Sequence, residues 1–475
     1  MNRLPLSLVA HWAAGELHGE DVSIDAITRD TRALVPGSLY VALRGERFDG
    51  HDFAADAVAR GAVALLVERL LDLPGVAQVL VEDSERALAR IAAGMQRDRH
   101  ATVVAITGSN GKTSVKTLAL AVLQRAGTAY ANPGNFNNEI GLPLAVIDAP
   151  QDADFAIYEM GAGKPGDIDY LTAIARPDVA LVNNVAAAHL ERMGSLLGVA
   201  RTKGAIYAAL AEGGTAVVNA DDAFGAWFEQ EVIDAAGTGR KVLRFGLDAS
   251  AEVTACDVRD LPGPGPGSRF TLVSPQGRVE VELALPGRHN VRNALAAAAI
   301  GLACGVPLAA IAAGLADARP VPGRQVAHAL PGAAQLIDDS YNANPGSLAA
   351  AIDALAASGE QAWLVLGDMR ELGPEAEALH AEAGARARQA HIARLYTLGP
   401  LSAAATRAFG DGARHFDSHA ALAAALAADL RARAQAGAGG DPCAPLRVLV
   451  KGSRGSAMDR IVSALLAQED TAYVA

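Results

Sequence analysis

The run Thr107-Gly108-Ser109-Asn110-Gly111-Lys112-Thr113-Ser114 constrains this chain more than any other feature. It follows an apolar strand pattern over residues 101–106 and leads into a helical pattern over residues 115–126. A strand, a glycine turn and a helix N-terminus in that order build an anion cradle, because free backbone N–H groups and the helix dipole face one point. Lys112 adds a positive charge, and Thr113 supplies a hydroxyl placed to touch a Mg²⁺ ion on bound phosphates. Gly108, Ser109, Asn110, Gly111, Lys112, Thr113 and Ser114 are therefore the first candidates for binding phosphate. Only two residues separate Gly108 from Gly111, where the common P-loop has four, and Ile106 stands where the longer motif needs glycine.

At 475 residues the chain is long enough for about three domains. Residues 1–99 mix short strands (38–43, 62–68 and 78–82) with alanine-rich helices, which predicts a small mixed α/β N-terminal domain. Residues 100–315 alternate apolar strands (154–158, 179–183 and 216–219) with helices, the pattern of a central P-loop-type doubly wound parallel sheet. A proline- and glycine-rich insertion at 261–268 opens a hairpin over 270–285. A linker over 317–324, with Pro320 and Pro322, resists helix and strand alike. Beyond it, residues 316–475 carry strands at 335–338, 363–366, 394–397 and 448–450, each followed by a helix, as in a C-terminal Rossmann-like α/β domain. The stretch 434–445 reads as a surface loop.

A net charge of −12 argues against a nucleic-acid partner, which would want a basic face. Cys256, Cys304 and Cys443 are far apart and lack metal spacing, which suits a reducing cytoplasm. The N-terminus carries no signal-peptide pattern, since His11 breaks the first apolar run. Residues 294–316 hold no charge and could span a bilayer, but they are mostly alanine and Gly305-Val306-Pro307 interrupts them. Two buried helices joined by a turn are expected there, with no membrane insertion.

In an open α/β sheet, ligands collect at the carboxyl ends of the strands. In the middle block those ends carry Lys112 and Thr113, Glu159, and Asn183-Asn184, with His189 shortly beyond. In the last block they carry Asp339-Ser340-Tyr341-Asn342, Gly367-Asp368 and Lys451-Gly452-Ser453-Arg454. Loops are polar in any protein, which accounts for each of these singly. It does not account for Glu159 closing an apolar strand, or for a lysine and an arginine flanking Gly452-Ser453. Two sheets facing each other across a cleft suit the joining of two substrates.

These residues resemble the Mur ligases, ATP-dependent amide ligases of peptidoglycan precursor synthesis, along essentially the whole chain. The resemblance rests on the TGxxGKT form of the phosphate motif and on Asp30-Thr31-Arg32, Asp49-Gly50-His51-Asp52-Phe53 and Asn135-Phe136-Asn137-Asn138-Glu139-Ile140-Gly141. It extends through Glu159-Met160-Gly161, Ala188-His189-Leu190-Glu191, Gly287-Arg288-His289-Asn290, Asp338-Asp339-Ser340-Tyr341-Asn342-Ala343-Asn344-Pro345, Gly367-Asp368-Met369 and Lys451-Gly452-Ser453-Arg454. The phosphate motif alone would also fit folylpolyglutamate synthase. The last-domain motifs resemble the branch that adds a terminal D-alanyl-D-alanine, and the DNPR and KGHE motifs of the branch adding a diamino acid are missing.

The resemblance implies a reaction and roles. The carboxylate of UDP-N-acetylmuramoyl-tripeptide attacks the γ-phosphate of ATP, and the amine of D-Ala-D-Ala displaces phosphate from the acyl phosphate. Lys112 holds the phosphates, Thr113 and Glu159 ligate Mg²⁺, and His189 ligates a second Mg²⁺. Imidazole is an unusual ligand for so hard an ion, so this assignment comes from the likeness and not from chemistry. Lys203 occupies the position of a lysine carbamylated by CO₂. Asn290, Arg324, Asp339 and Asn342 contact ATP, the last two alternatively the dipeptide. His289 fits either the nucleotide or a helix cap. Thr31, Arg32, Asn137 and Asn138 are expected at the UDP-substrate, and Lys451, Ser453 and Arg454 at substrate in the last domain. The partners implied are small molecules only, acting on a cytoplasmic monomer. A nucleotide-controlled switch remains the alternative; it would leave the last-domain residues without a task.

Overall fold

The computed structural model describes residues 3–45, 48–187, 190–237, 239–261, 267–358, 361–437 and 445–472. The N-terminal block is a five-stranded sheet in the order Glu16–His18, Ala77–Leu80, Ala62–Val67, Ser38–Val41, Ala26–Thr28. Its strands pair in parallel except at the Glu16–His18 edge. The helix Ser84–Arg97 follows, started by Asp83, whose carboxylate accepts the Arg86 N–H at 2.9 Å.

The central sheet has six parallel strands in the order Lys241–Phe245, Thr215–Asn219, Val179–Val182, Thr102–Thr107, Phe155–Glu159, Ala129–Ala131. Strands covered on both faces can be apolar throughout, and Val103-Val104-Ala105-Ile106 is buried as a block. The chain runs outward from Thr102–Thr107 on one side and then returns to build the other side. The topological switch point therefore falls at the end of Thr102–Thr107, with Glu159 on one flank and Asn183 on the other.

A three-stranded antiparallel sheet joins Thr254–Leu261, Gly267–Ser274 and Gly277–Leu283. The last two form the expected hairpin. The first was hidden because a bulge between Cys256 and Arg259, with Asp257 at φ 54°, breaks its two-residue period. Much of the proline-rich insertion, residues 262–266, lies outside the described residues. The uncharged alanine stretch falls within two helices, Arg288–Ala303 and Leu308–Asp317, which pack on the helix Lys112–Leu123. Among the described residues no helix is long and apolar enough to cross a membrane.

The last sheet runs Val326–Leu330, Ala334–Asp339, Leu446–Lys451, Gln361–Gly367, Arg394–Leu398, Ala413–Phe416, parallel except for its first strand. Both outer strands were missed from sequence because they are edges with few buried side chains. The helix His419–Gly437 runs into the stretch expected to be a loop, of which residues 438–444 lie outside the described residues.

Candidate active site

The expected helix start at Val115 is corrected to Lys112, three residues earlier. Gly111 caps it at φ 78°, and a Cβ there would lie 2.5 Å from Asn183 Nδ2 and 2.7 Å from Asn293 Oδ1, so only glycine fits. The turn is held from below by its neighbour strand end. Asn184 Oδ1 accepts the Asn110 N–H at 2.8 Å, and Ser109 N–H donates to the Asn184 carbonyl at 2.9 Å. Both bonds fix the turn against the end of the neighbouring strand.

Lys112 Nζ donates to the Gly108 carbonyl at 2.7 Å, and Thr113 Oγ1 donates to Glu159 Oε2 at 2.9 Å. Glu159 is buried, with Asn137 Nδ2 at 2.9 Å from its other oxygen and Lys116 Nζ at 3.3 Å. Burial pushes its carboxyl pKa up, but Lys112, Lys116 and the Thr113 and Asn137 hydrogen bonds outweigh this and hold it below the ordinary value. Burial depresses the Lys112 pKa against the attraction of Glu159.

The hydroxyl of Thr113 and the carboxylate of Glu159 suit a hard cation that keeps most of its waters and shares phosphate oxygens. Among the described residues no group of three His, Cys, Asp or Glu could hold a metal ion. His189 lies outside the described residues.

Lys203, on the helix Leu196–Ala208, lines the same cleft and is only 2% exposed. Among the described residues its amine meets no hydrogen-bond acceptor. Burial and the nearby Lys112 charge, against some attraction from Asp167, bring its pKa down to about 7.

The cleft measures about 1680 Å³ and runs between the central and last sheets, touching the N-terminal block at Glu85. From the last sheet it receives Asp339, Tyr341, Asn342, Lys451 and Arg454. Lys451 Nζ donates to Asp339 Oδ2 at 2.6 Å and to the Asn342 carbonyl at 2.9 Å, a buried pair at two strand ends. Arg324, from the linker, donates to Thr113 Oγ1 at 3.0 Å and lies 4.2 Å over the Tyr341 ring; Arg454 lies 5.3 Å from the same ring. Asn290 lines the cleft beside Asn293, whose Oδ1 accepts from Asn183 at 3.2 Å.

Some expectations change. Ser453 does not line the cleft: its buried hydroxyl accepts the Arg370 N–H at 2.8 Å and donates to the Ala343 carbonyl at 3.2 Å, so it braces the loop. His289 is not a cap, since the helix begins at Arg288 after Gly287; its ring pairs with Gln325 of the linker at 2.8 Å. Thr31 and Arg32 are not brought into the cleft, and the exposed Arg32 guanidinium pairs with Asp30. Asn138 lines the cleft while its Oδ1 accepts the Gly141 N–H at 2.9 Å. Sequence reasoning passed over Lys116 and Asn293, although the i,i+4 spacing from Lys112 and the i,i+3 spacing from Asn290 were visible signals, and it named Tyr341 and Asn344 in their motif without giving them a role.

A short anion cradle on one sheet, facing a second sheet's cations and carboxylate across a polar cleft, defines a two-domain nucleotide site preceded by a third domain. The chain belongs to the Mur ligase family: residues 23–102 match its catalytic domain, 106–301 the Mur ligase middle domain, and 324–454 the glutamate ligase domain. It is 45% identical to the UDP-N-acetylmuramoyl-tripeptide–D-alanyl-D-alanine ligase of Escherichia coli K12, across 98% of this chain and 99% of that one. Crystal structure I of MurF from Acinetobacter baumannii superposes with a TM-score of 0.90 at 30% identity, covering 98% of this chain and 99% of that one. MurF from Thermotoga maritima in complex with ADP does so at 0.79 and 27% identity, covering 93% and 96%.

Proposed function

We propose that this chain is an ATP-dependent ligase that joins D-alanyl-D-alanine to UDP-N-acetylmuramoyl-tripeptide through an acyl phosphate, releasing ADP and phosphate. The observation that carries this reading is one cleft lined by Lys112, Glu159 and Lys203 on one side and by Asp339, Lys451 and Arg454 on the other. A nucleotide switch would need only the first side. The 45% identity to the E. coli ligase over nearly the whole chain supports the same substrates.

The reacting groups are all anionic, so catalysis is mostly positioning and charge neutralisation. Lys112, released from the Gly108 carbonyl, meets the β- and γ-phosphates. Arg324 turns from Thr113 toward the same charge, and Asn290 holds the nucleotide from its helix. Mg²⁺ held by Thr113 and Glu159 would draw charge from the γ-phosphate, and His189 and Lys203 are assigned to a second ion. Asp339, Asn342, Lys451 and Arg454 take the last-domain side of ATP and the incoming dipeptide. Ser453 is left with the bracing role. Thr31 and Arg32, with Asn137 and Asn138, are assigned to the UDP-substrate.

Lys203 is proposed to be carbamylated. CO₂ adds to the neutral amine, a proton leaves, and an anionic oxygen ligand replaces a cation. An ordinary lysine amine is neutral about once in a few thousand molecules at pH 7. Burial and the nearby Lys112 charge bring the pKa down to about 7, which raises that fraction steeply. In this reading residues 1–99 recognise the UDP end, 100–315 bind ATP and 316–475 supply ATP and dipeptide contacts. The chain acts as a cytoplasmic monomer on small molecules, without nucleic acid.

The test is phosphate release. It should require ATP, UDP-N-acetylmuramoyl-tripeptide and D-Ala-D-Ala together. Equal release with ATP alone would favour a switch.

A further inference from the structure

Lys116 lies one helical turn beyond Lys112 but has a different environment. It is 5% exposed and does not line the cleft. Its Nζ donates to the Asn132 carbonyl at 2.8 Å and the Gly134 carbonyl at 3.1 Å, and lies 3.3 Å from Glu159 Oε2. An ammonium has three donors, and these three acceptors use them all. The carbonyls belong to the turn that fastens Glu159 from behind. Asn132 accepts the Glu159 N–H at 2.9 Å and donates to its carbonyl at 3.1 Å.

The Glu159 carboxylate thus has two cations beside it, Lys112 and Lys116, and Arg324 reaches it only through the Thr113 hydroxyl. Lys112 and Arg324 border the cleft and can turn to incoming phosphates. Lys116 cannot, because it is walled off and fully engaged.

We propose that Lys116 is a positioning residue that serves as the permanent counter-ion of Glu159, keeping the site closed to a free divalent cation until a triphosphate arrives. The inference rests on the metal-ligand role assigned to Glu159 above. Neutralising the carboxylate from behind costs the site affinity for a bare ion. Triphosphate charge restores the attraction, so metal enters with the nucleotide. The same ammonium fixes the turn and the direction of the carboxylate.

The probe is Mn²⁺ alone, titrated into nucleotide-free protein at pH 8 with the free-ion electron paramagnetic resonance signal as readout. Lys116→Gln keeps an amide donor for the carbonyls and removes the charge; it should tighten Mn²⁺ binding roughly tenfold or more. Lys116→Arg, which keeps the charge, should stay near wild type. Adding Glu159→Gln to Lys116→Gln should abolish the gain. A merely structural lysine predicts the opposite sign, because loosening the turn disorders Glu159 and weakens binding. Unchanged or weaker Mn²⁺ binding by a Lys116→Gln protein with a normal unfolding transition would overturn the proposal, as would a gain that survives Glu159→Gln. Because the titration involves no turnover, it can fail while the three-substrate phosphate assay succeeds.

Discussion

The two junctions between domains are built on different principles. Between the N-terminal and central domains one apolar core runs straight through, from Leu6 and Leu39 to Tyr158 and Tyr207. The helix Ser84–Arg97 packs against Gly141–Asp148 and Asp167–Ala175, and the buried Arg99 donates to the carbonyls of Val146, Ile147 and Ala149. The last domain instead keeps its own cores, drawn only from residues 330 onward. Across the second junction the described hydrogen bonds include Asn344 Nδ2 donating to Asn110 Oδ1 at 2.7 Å and Arg324 donating to Thr113, and no apolar core cluster of the described residues spans it. An apolar core cannot part without exposing its surface to water, whereas polar contacts exchange for water at little cost. The cleft lies at the junction that can open.

If the polar junction is the chemical one, changes there should remove activity and spare stability. The largest effect is expected at Lys203. Lys203→Ala should have no measurable ligase activity while still binding ATP, and Lys203→Arg should fail too, because a guanidinium keeps the charge but cannot become the carbamate. Formate added to the alanine variant should restore part of the rate by supplying an anionic oxygen. Full activity in Lys203→Arg would remove the carbamate.

Next comes Lys112→Ala, expected to lose on the order of a hundredfold in kcat, about 3 kcal/mol of transition-state stabilisation, with an unchanged melting curve. Near-normal turnover would take the central cradle out of the mechanism.

A pH titration of stability sharpens the picture of Lys203. Its folded pKa of about 7 lies below the ordinary lysine value of about 10.4, so between those limits the unfolded chain binds a proton that the folded chain lacks. Stability from this group therefore rises with pH through that window and is lost below it. In CO₂-free, metal-free buffer, Lys203→Met should gain stability over wild type, on the order of a few kcal/mol at pH 6, with the gap closing toward pH 10. A gap independent of pH would contradict a neutralised amine.

The junctions themselves differ in the smaller effects. Arg99→Met strands buried carbonyls and should cost about 3 kcal/mol in urea unfolding. Asn344→Ser keeps a good helix cap while breaking the bridge to Asn110, and should cost less than about 0.5 kcal/mol. Equal costs would erase the distinction between the junctions.

What the sequence revealed follows the same division. Buried parallel strands such as Val179–Val182 are continuous apolar runs, and the glycine turn has few conformational alternatives, so the central sheet and its cradle were legible. Edge strands such as Ala413–Phe416 bury little and left no such trace. Strand ends pointed to the cleft but not to side-chain direction, which is why Ser453 was expected there and turned out to face inward. Lys116 carried no signal in the sequence beyond its spacing from Lys112, because its partners Asn132 and Gly134 are distant in sequence and meet it only through folding. Lys203 became a candidate through family resemblance, and its burial could not be read from its own segment.

The most direct test of the two-junction account is small-angle X-ray scattering on the free protein and on the protein saturated with a non-hydrolysable ATP analogue and UDP-N-acetylmuramoyl-tripeptide. Closure across the polar cleft would exclude water that otherwise hydrolyses an acyl phosphate. A smaller radius of gyration is expected with both ligands, fitted by moving residues beyond the 317–324 linker as one body while the first two domains stay fixed. An unchanged radius of gyration, with binding of both ligands confirmed separately, would contradict it, as would a fit that requires the N-terminal domain to move on the central one.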